Sequence, residues 1–406
     1  MNPQRYLSSR LLIILIVILS IVAPFSTDMY LPGLPIIVEY FGTTDAILNM
    51  TLYGFMMFMA IGILILGPIS DKYGRKPILI TSLIAYTIIS TLCAFSPNIW
   101  AFIMLRIFQG VAAGGMLVIS TALIKDCFEA SIRDRILTLT VVMGVVGPLM
   151  SPIVGAYLID AISWQSTLIA PAFLTAASVI VSFFFTESLP ENERFTGSVL
   201  GVILHQLTLC KNRAFTLFLL STSVLKLPFM AFLAVSSYIF IAGYGISGSL
   251  YSIFLAIDII IGTAGMLVIQ QIGYRIGGRR TGPIFIALGF LSGILMLTFG
   301  HAGAYICLLC FIPCGISAIG VRPYTIRVRP YTISNLLKQY DGDTGSVSSL
   351  FNFTVMFIGC TGMIIGTLPW PDYITGLGTC SVCASIASAI LWLILVKSGM
   401  KLRGMD

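Results

Sequence analysis

The sequence predicts an all-α membrane protein with twelve transmembrane helices in two six-helix halves. Three observations predict it. First, of 406 residues 57% are hydrophobic and only 10% charged, where a soluble globular chain carries roughly 25% charged residues. That leaves too little polar surface to solvate a globule of this size, and mean hydropathy is +1.00. Second, apolar runs such as Leu11 to Ala23 recur along the chain, each long enough to cross about 30 Å of hydrocarbon as a helix. Third, the basic residues fall on alternate segments between those runs. A backbone in lipid must satisfy its own hydrogen bonds, so the spans are helices or closed barrels. Barrel strands alternate apolar and polar residues, and these runs do not.

The spans are expected at 10–36, 46–68, 77–95, 99–122, 136–158, 166–186, 214–242, 249–271, 282–300, 304–326, 344–367 and 374–396. The first is too long for a signal peptide and closes on no small-residue cleavage site. The only long polar break is 187–213, which includes Ser188-Leu-Pro-Glu-Asn-Glu-Arg194. It divides the chain into a bundle over 1–186, a cytoplasmic linker over 187–213 and a second bundle over 214–406. Two bundles joined in this way are the layout of a transporter whose site lies between repeats. The loops Gly67 to Pro77 and Gly273 to Arg280 are both short, basic and glycine-bearing, a weak internal symmetry. Val321-Arg-Pro-Tyr-Thr-Ile-Arg327 is repeated at once as Val328-Arg-Pro-Tyr-Thr-Ile-Ser334, too short a repeat for a repeat architecture.

With the N-terminus in the cytoplasm, all of the 23 Lys and Arg residues except Arg106 and Lys226 fall on cytoplasmic segments. Positive charge retained inside sets the orientation. Both termini are then cytoplasmic, in a bacterial-type inner membrane. The net charge of +7 is a topology signal, so nucleic acid is not an expected partner. The nine cysteines read as small buried hydrophobes. Neither Cys307, Cys310 and Cys314 nor Cys380 and Cys383 has His or acid beside it for zinc. No metal or cofactor is expected. With His205 and His301 the only histidines, and no nucleotide loop, an enzyme is not expected either.

A few polar residues interrupt the spans. Arg106 lies in the fourth, where a buried charge needs a partner or a wet cavity. Lys226 in the seventh and Asp258 in the eighth sit at similar depths, which suits an ion pair, a substrate contact or a proton site. Asn49, Tyr53, Met57, Ser236, Tyr238 and Asn352 offer polar or polarizable contacts on the same helices. A mostly apolar cavity with a few such groups suits a hydrophobic or amphipathic drug-like compound.

Four motifs carry a family resemblance. Gly67-Pro-Ile-Ser-Asp71-Lys-Tyr-Gly74-Arg75-Lys76-Pro77 resembles the signature loop of the major facilitator superfamily. The resemblance implies a conformational latch on the cytoplasmic side, with Asp71 facing a helix N-terminus and pairing with a base of the loop. Leu105-Arg106-Ile-Phe-Gln109-Gly110 resembles that superfamily's R-x-x-Q-G element, associated with proton transfer. Gly144-Val-Val-Gly147-Pro148-Leu-Met-Ser151-Pro152-Ile-Val-Gly155 resembles its antiporter motif, with Ser151-Pro152 where the motif continues towards paired glycines. Asp28-Met-Tyr30-Leu-Pro32 is similar to the drug/proton antiporters of the bicyclomycin and chloramphenicol resistance type. The resemblance implies a monomeric exporter of antibiotic-like compounds, working by alternating access in exchange for protons. It makes Asp28 the protonation site, tuned by Arg106, with Tyr30 and Gln109 in the cavity. A proton-coupled importer or exporter of one metabolite on the same fold is the alternative.

Overall fold

Polar residues at the ends of the apolar runs decide where helices begin. Ser8 accepts from the Leu11 amide at 3.3 Å, Thr44 from Ile47 at 3.4 Å, Asn98 from Ala101 at 2.9 Å and Asn212 from Ala214 at 3.1 Å. Each supplies an acceptor to an amide that has no partner within its helix. The computed structural model describes residues 7–276, 278–319 and 344–397. It contains α1 (Ser9–Asp28), α2 (Leu34–Phe41), α3 (Asp45–Tyr73), α4 (Arg75–Ala94), α5 (Ile99–Cys127), α6 (Ala130–Ala161), α7 (Ser166–Phe183), α8 (Val199–Thr208), α9 (Arg213–Val224), α10 (Leu227–Ser237), α11 (Gly248–Ile276), α12 (Gly278–Phe299), α13 (Ala304–Ile319), α14 (Thr344–Gly366) and α15 (Tyr373–Lys397). Among the described residues there is no strand.

Ten helical stretches among the described residues are long and apolar enough to cross a membrane, and Ala304–Ala318 and Leu350–Gly366 are two shorter apolar helices. In chain order they match the twelve expected spans. Their outward faces are apolar too: Trp100, Met104 and Phe108 form an exposed stripe on α5, and Ile386, Ile390 and Leu393 another on α15. Water would not tolerate such stripes, whereas acyl chains solvate them.

Three stretches differ from simple apolar rods. The first span stops being α-helix at Asp28, passes through a 3₁₀ turn at Leu31–Gly33 and resumes as α2. Pro32 and Pro35 supply no amide hydrogen to continue the ladder. The seventh span breaks between Val224 and Leu227, just before Pro228, and ends in a π-helical turn over Tyr238–Gly243. Within 187–213 the chain forms α8. The tandem repeat lies outside the described residues.

The chain folds as two units, Met1–Leu204 and His205–Asp406. In the first, α3 and α5 cross at van der Waals contact of their backbones. An added Cβ at Gly110 would strike the Phe55 carbonyl and lie 3.1 Å from the Met59 amide nitrogen. At Gly62 it would lie 2.6 Å from the Val111 carbonyl oxygen. Lipid gives apolar helices no hydrophobic reason to associate, so close packing through small residues supplies the attraction. Hydroxyls tie α4 to α7, Thr87 to Thr175 and Ser90 to the Leu168 carbonyl, both at 2.8 Å.

The second unit uses the same devices. Gly293 on α12 and Gly378 on α15 admit Val382 and Leu297 respectively, and Ser381 donates to the Gly289 carbonyl at 2.8 Å. Gly362 on α14 lies against the Leu227 backbone of α10. Phe215, Phe218, Leu225, Phe285, Phe351 and Trp392 fill the interior between α9, α12, α14 and α15.

Gly110→Leu places a branched side chain against immovable backbone. It is expected to cost roughly 1–3 kcal/mol or more and to lower the thermal unfolding midpoint of the purified protein. Gly67→Ala, whose new methyl would meet only Val118 Cγ2 at 3.4 Å, is expected to leave that midpoint unchanged.

Asp372, outside the spans, caps α15: its carboxylate accepts from the Thr375 amide at 2.8 Å and the Thr375 hydroxyl at 2.7 Å. Partial burial pushes its pKa up, but the Thr375 hydrogen bonds and the His301 charge outweigh burial and hold it below the ordinary carboxylate value. A lowered folded pKa stabilises above the unfolded pKa and is lost as pH falls through the folded one. Protection of the first-turn amides of α15 against hydrogen exchange, taken relative to the intrinsic rate at each pH, is therefore expected to fall on acidification below the carboxylate range. In Asp372→Ala the low protection is expected at every pH.

Candidate functional sites in the two units

Among the described residues of the first unit Arg106 is the largest wholly buried side chain, with 0% exposure. An arginine inside a span keeps its charge, so the surroundings must replace water. Its Nη2 donates to the Ser26 carbonyl at 2.9 Å and its Nη1 to Gln109 Oε1 at 2.7 Å. The guanidinium carbon lies 4.5 Å from the centre of the Phe55 ring and 4.8 Å from that of Tyr30, both within cation–π range. The Ser26 carbonyl is open to this bond because α1 ends two residues later, and the last carbonyls of a helix have no acceptor role within it. They are also the negative end of the helix dipole. The early end of α1 thus makes the arginine's receptor.

The buried polar groups of α1, α3 and α5 are only partly paired. Tyr30 and Thr51 share a hydrogen bond at 2.7 Å, and Ser26 and Tyr86 share another. Gln109 Nε2, Arg106 Nε and both amide atoms of Asn49 have no hydrogen-bond partner among the described residues. Buried groups of this kind are normally satisfied, so they mark spare capacity for a guest. Asp28 is half-buried at the same helix end, and Thr27 Oγ1 donates to its Oδ1 at 2.8 Å. Tyr53 and Met57 are half-buried on α3. Tyr30, Arg106 and Gln109 are brought together. For Asn49, Tyr53 and Met57 the structure shows a place on α3 near Thr51 and Phe55.

Gly147 and Gly155 of α6 receive α1: an added Cβ would lie 2.9 Å from Pro24 Cγ at the first and against the Met29 carbonyl at the second. Pro148 and Pro152 lie inside α6, between these two contacts, and Gly144 sits one turn earlier. Ser151 is buried, with no hydroxyl partner among the described residues. The segment bearing Asp28 therefore rests on the glycine-proline face of α6.

The segment from Gly67 to Lys76, expected as a loop, is the end of α3 and the start of α4 joined at Gly74 alone, and it carries a network of charge-assisted bonds. Arg75 pairs with Asp71 at 2.6 Å and with Asp126 at 3.1 Å, and donates to Ser70 Oγ at 2.6 Å. The carboxylate of Glu187 accepts from the amides of Arg75 at 2.9 Å and Lys76 at 3.0 Å. It is an acid seated on the N-terminus of α4, where amides and dipole both favour it. Gly74 makes the approach possible, with φ at +101 and an added Cβ 2.5 Å from Glu187 Oε2. The Phe195 amide donates to the Asp71 carbonyl at 2.9 Å, and Lys72 Nζ to the Gly197 carbonyl at 3.4 Å. In this unit the acid on a helix N-terminus is Glu187, while Asp71 holds Arg75. Glu187 and Asp126 are not among the residues the sequence singles out; the one local signal is an acid standing one polar residue past an apolar run, after Thr186 and Lys125 respectively.

In the second unit Asp258 and Lys226 are buried, 1% and 4% exposed. Gly315 makes room for Asp258: an added Cβ would lie 2.6 Å from its Oδ1. Lys226 stands at the break between α9 and α10, with Nζ 4.5 Å from the centre of the Phe229 ring. Ser236 bonds Tyr251 at 2.8 Å. Tyr238 and Tyr373 have ring centres 6.0 Å apart. Asn352 is half-buried on α14. Among the described residues no His, Cys, Asp and Glu cluster could hold a metal ion.

Two helical units of membrane-spanning length, each enclosing a few buried charges, define a multi-pass membrane protein of the transporter class. Residues 16–363 match the Major Facilitator Superfamily, and the chain belongs to that family of transporters. It is 24% identical to a bicyclomycin resistance protein homolog of Haemophilus influenzae, over all of both chains. It is 26% identical to the multidrug transporter MdfA of Edwardsiella piscicida, covering 98% of this chain and 95% of that one. Its fold is similar to the crystal structure of a bacterial homolog to the human lysosomal transporter Spinster. There the TM-score is 0.72 at 12% identity, with 99% of each chain covered.

Glu187→Ala is expected to cost about 1 kcal/mol through the lost cap and to open the loop to protease between Tyr73 and Pro77. Glu187→Gln keeps one acceptor and is expected to fall between the two, measured by limited proteolysis and thermal unfolding.

Proposed function

We propose that this protein is a proton-coupled exporter of small hydrophobic or amphipathic compounds such as antibiotics. It works by alternating access as a monomer, in a bacterial-type inner membrane with both termini cytoplasmic. The observation that supports this best is the buried Arg106 bound to the end of α1, with the Tyr30 and Phe55 rings against it and the unpaired amide nitrogen of Gln109 beside it. An apolar cavity with one fixed charge and a few spare hydrogen-bonding groups can hold varied drug-like molecules. The full-length likeness to relatives named for bicyclomycin resistance and multidrug transport points the same way.

In this reading Asp28 carries the proton. A half-buried carboxylate beside an arginine-bound helix end can be loaded from outside and unloaded inside. Arg106 holds α1 and sets the local field, so the proton and a cationic or hydrogen-bonding substrate compete for one place. Tyr30, Asn49, Tyr53, Met57 and Gln109 are the proposed substrate contacts of the first unit, and Ser236, Tyr238, Asn352, Lys226 and Asp258 those of the second. The loop of Asp71, Gly74, Arg75 and Lys76 biases the conformational equilibrium. The packing of α1 on Gly147 and Gly155 keeps Asp28 in register with α6. The halves are taken as 1–186 and 214–406.

Asp28→Asn is expected to abolish proton-driven efflux in everted vesicles while leaving expression and membrane insertion intact. Wild-type efflux in that variant would sink the assignment. A resistance screen in a host stripped of its own pumps identifies the compounds.

A further inference from the structure

Three helices of the second unit and the break between α9 and α10 bring polar groups into one buried region. Asp258 comes from α11 and lies against Gly315 of α13. One residue earlier on α13, the Cys314 thiol is within electrostatic range of both Asp258 and Lys226, and of Cys380 on α15. One turn further, Ser317 and, from α15, Ser385 surround Gly289 of α12: their hydroxyls lie 3.4 and 2.7 Å from an ideal Cβ there. Leu225, next to Lys226, closes the same spot at 3.9 Å. Ser317 and Ser385 are each 1% exposed, and neither hydroxyl has a hydrogen-bond partner among the described residues. Tyr251, two turns away on α11, is occupied with Ser236.

We propose that the second unit holds a proton-binding centre of its own, with the Asp258 carboxylate as acceptor, Lys226 as counter-charge, and the Ser317 and Ser385 hydroxyls as a lining that serves both protonation states. The inference rests on the proton-coupled reading and adds a second coupling site to it. A structural ion pair alone explains the two charges but leaves two adjacent buried hydroxyls unsatisfied, which costs free energy. A hydroxyl both donates and accepts, so it can donate toward a carboxylate and accept from a carboxylic acid, directly or through one water. Taking a proton from water onto Asp258 leaves the Lys226 ammonium unbalanced. That ammonium stands at the break between the C-terminus of α9, which favours positive charge, and the N-terminus of α10, which opposes it, so the helix ends do not replace the lost carboxylate charge. Protonation therefore raises the free energy of the region around the α9–α10 break, the weakest point of that span. Release of the proton to water restores the balance.

Infrared difference spectroscopy on the purified full-length protein tests this as pH is stepped across neutrality. Acidification is expected to bring up C=O stretch intensity of protonated carboxylic acids in the wild type, with one component that persists in Asp28→Asn and is missing in Asp258→Asn. An undiminished band in Asp258→Asn overturns the proposal. So does a band lost only in Asp28→Asn, which would leave the first-unit reading standing. Should Asp258→Asn fail to fold, the neutral pair Lys226→Met/Asp258→Asn replaces it and is read in the same way. In proteoliposomes the neutral pair is expected to export with a shallower dependence on the pH gradient. Export with wild-type steepness would make the pair purely structural and overturn the proposal.

Discussion

The guanidinium of Arg106 needs an acceptor inside a membrane span, and the end of α1 provides one. Much of the first unit follows from that bond. It requires α1 to stop being helical at Asp28, so that the Ser26 carbonyl is free. It requires α3 and α5 to touch, so that Phe55 reaches the charge, and that contact requires glycine at 62, 110 and 114. It holds Tyr30 beside the charge and leaves Asp28 at the same helix end. A lysine would keep the charge and lose the fork that meets a carbonyl and an amide oxygen at once.

The two units solve the packing problem of lipid alike. Glycines let helices close to backbone contact, and hydroxyls reach across to carbonyls of a neighbour, as Ser90 does in the first unit and Ser388 in the second. Each hydroxyl costs little apolar surface and adds direction to an otherwise slippery contact.

The spans were legible because their signal is additive: many apolar residues and a few basic ones decide each. The signature loop and Arg106 were legible because charge in or near a span is rare. What was not legible is what depends on partners far apart in sequence. The capping acid of α4 is Glu187, more than a hundred positions away, and nothing local to α4 announces it. The break before Leu227 was announced only by Pro228, and its consequence for Lys226 needed the fold. Ser317 and Ser385 look like any small residues of a span until Gly289 shows that they face one another.

The hold of Glu187 on two successive amides of α4 fixes the chain in register at that point, and Phe195 and Gly197 fix it again against Asp71 and Lys72. The fourteen residues after α7, 184–197, are therefore a strap of set length rather than slack. Length variation between related chains, or a reporter inserted between the halves, is compatible with this fold only beyond Gly197. An insertion before Glu187 would slide the carboxylate off its helix, and one between Glu187 and Phe195 would push Phe195 and Gly197 off Asp71 and Lys72.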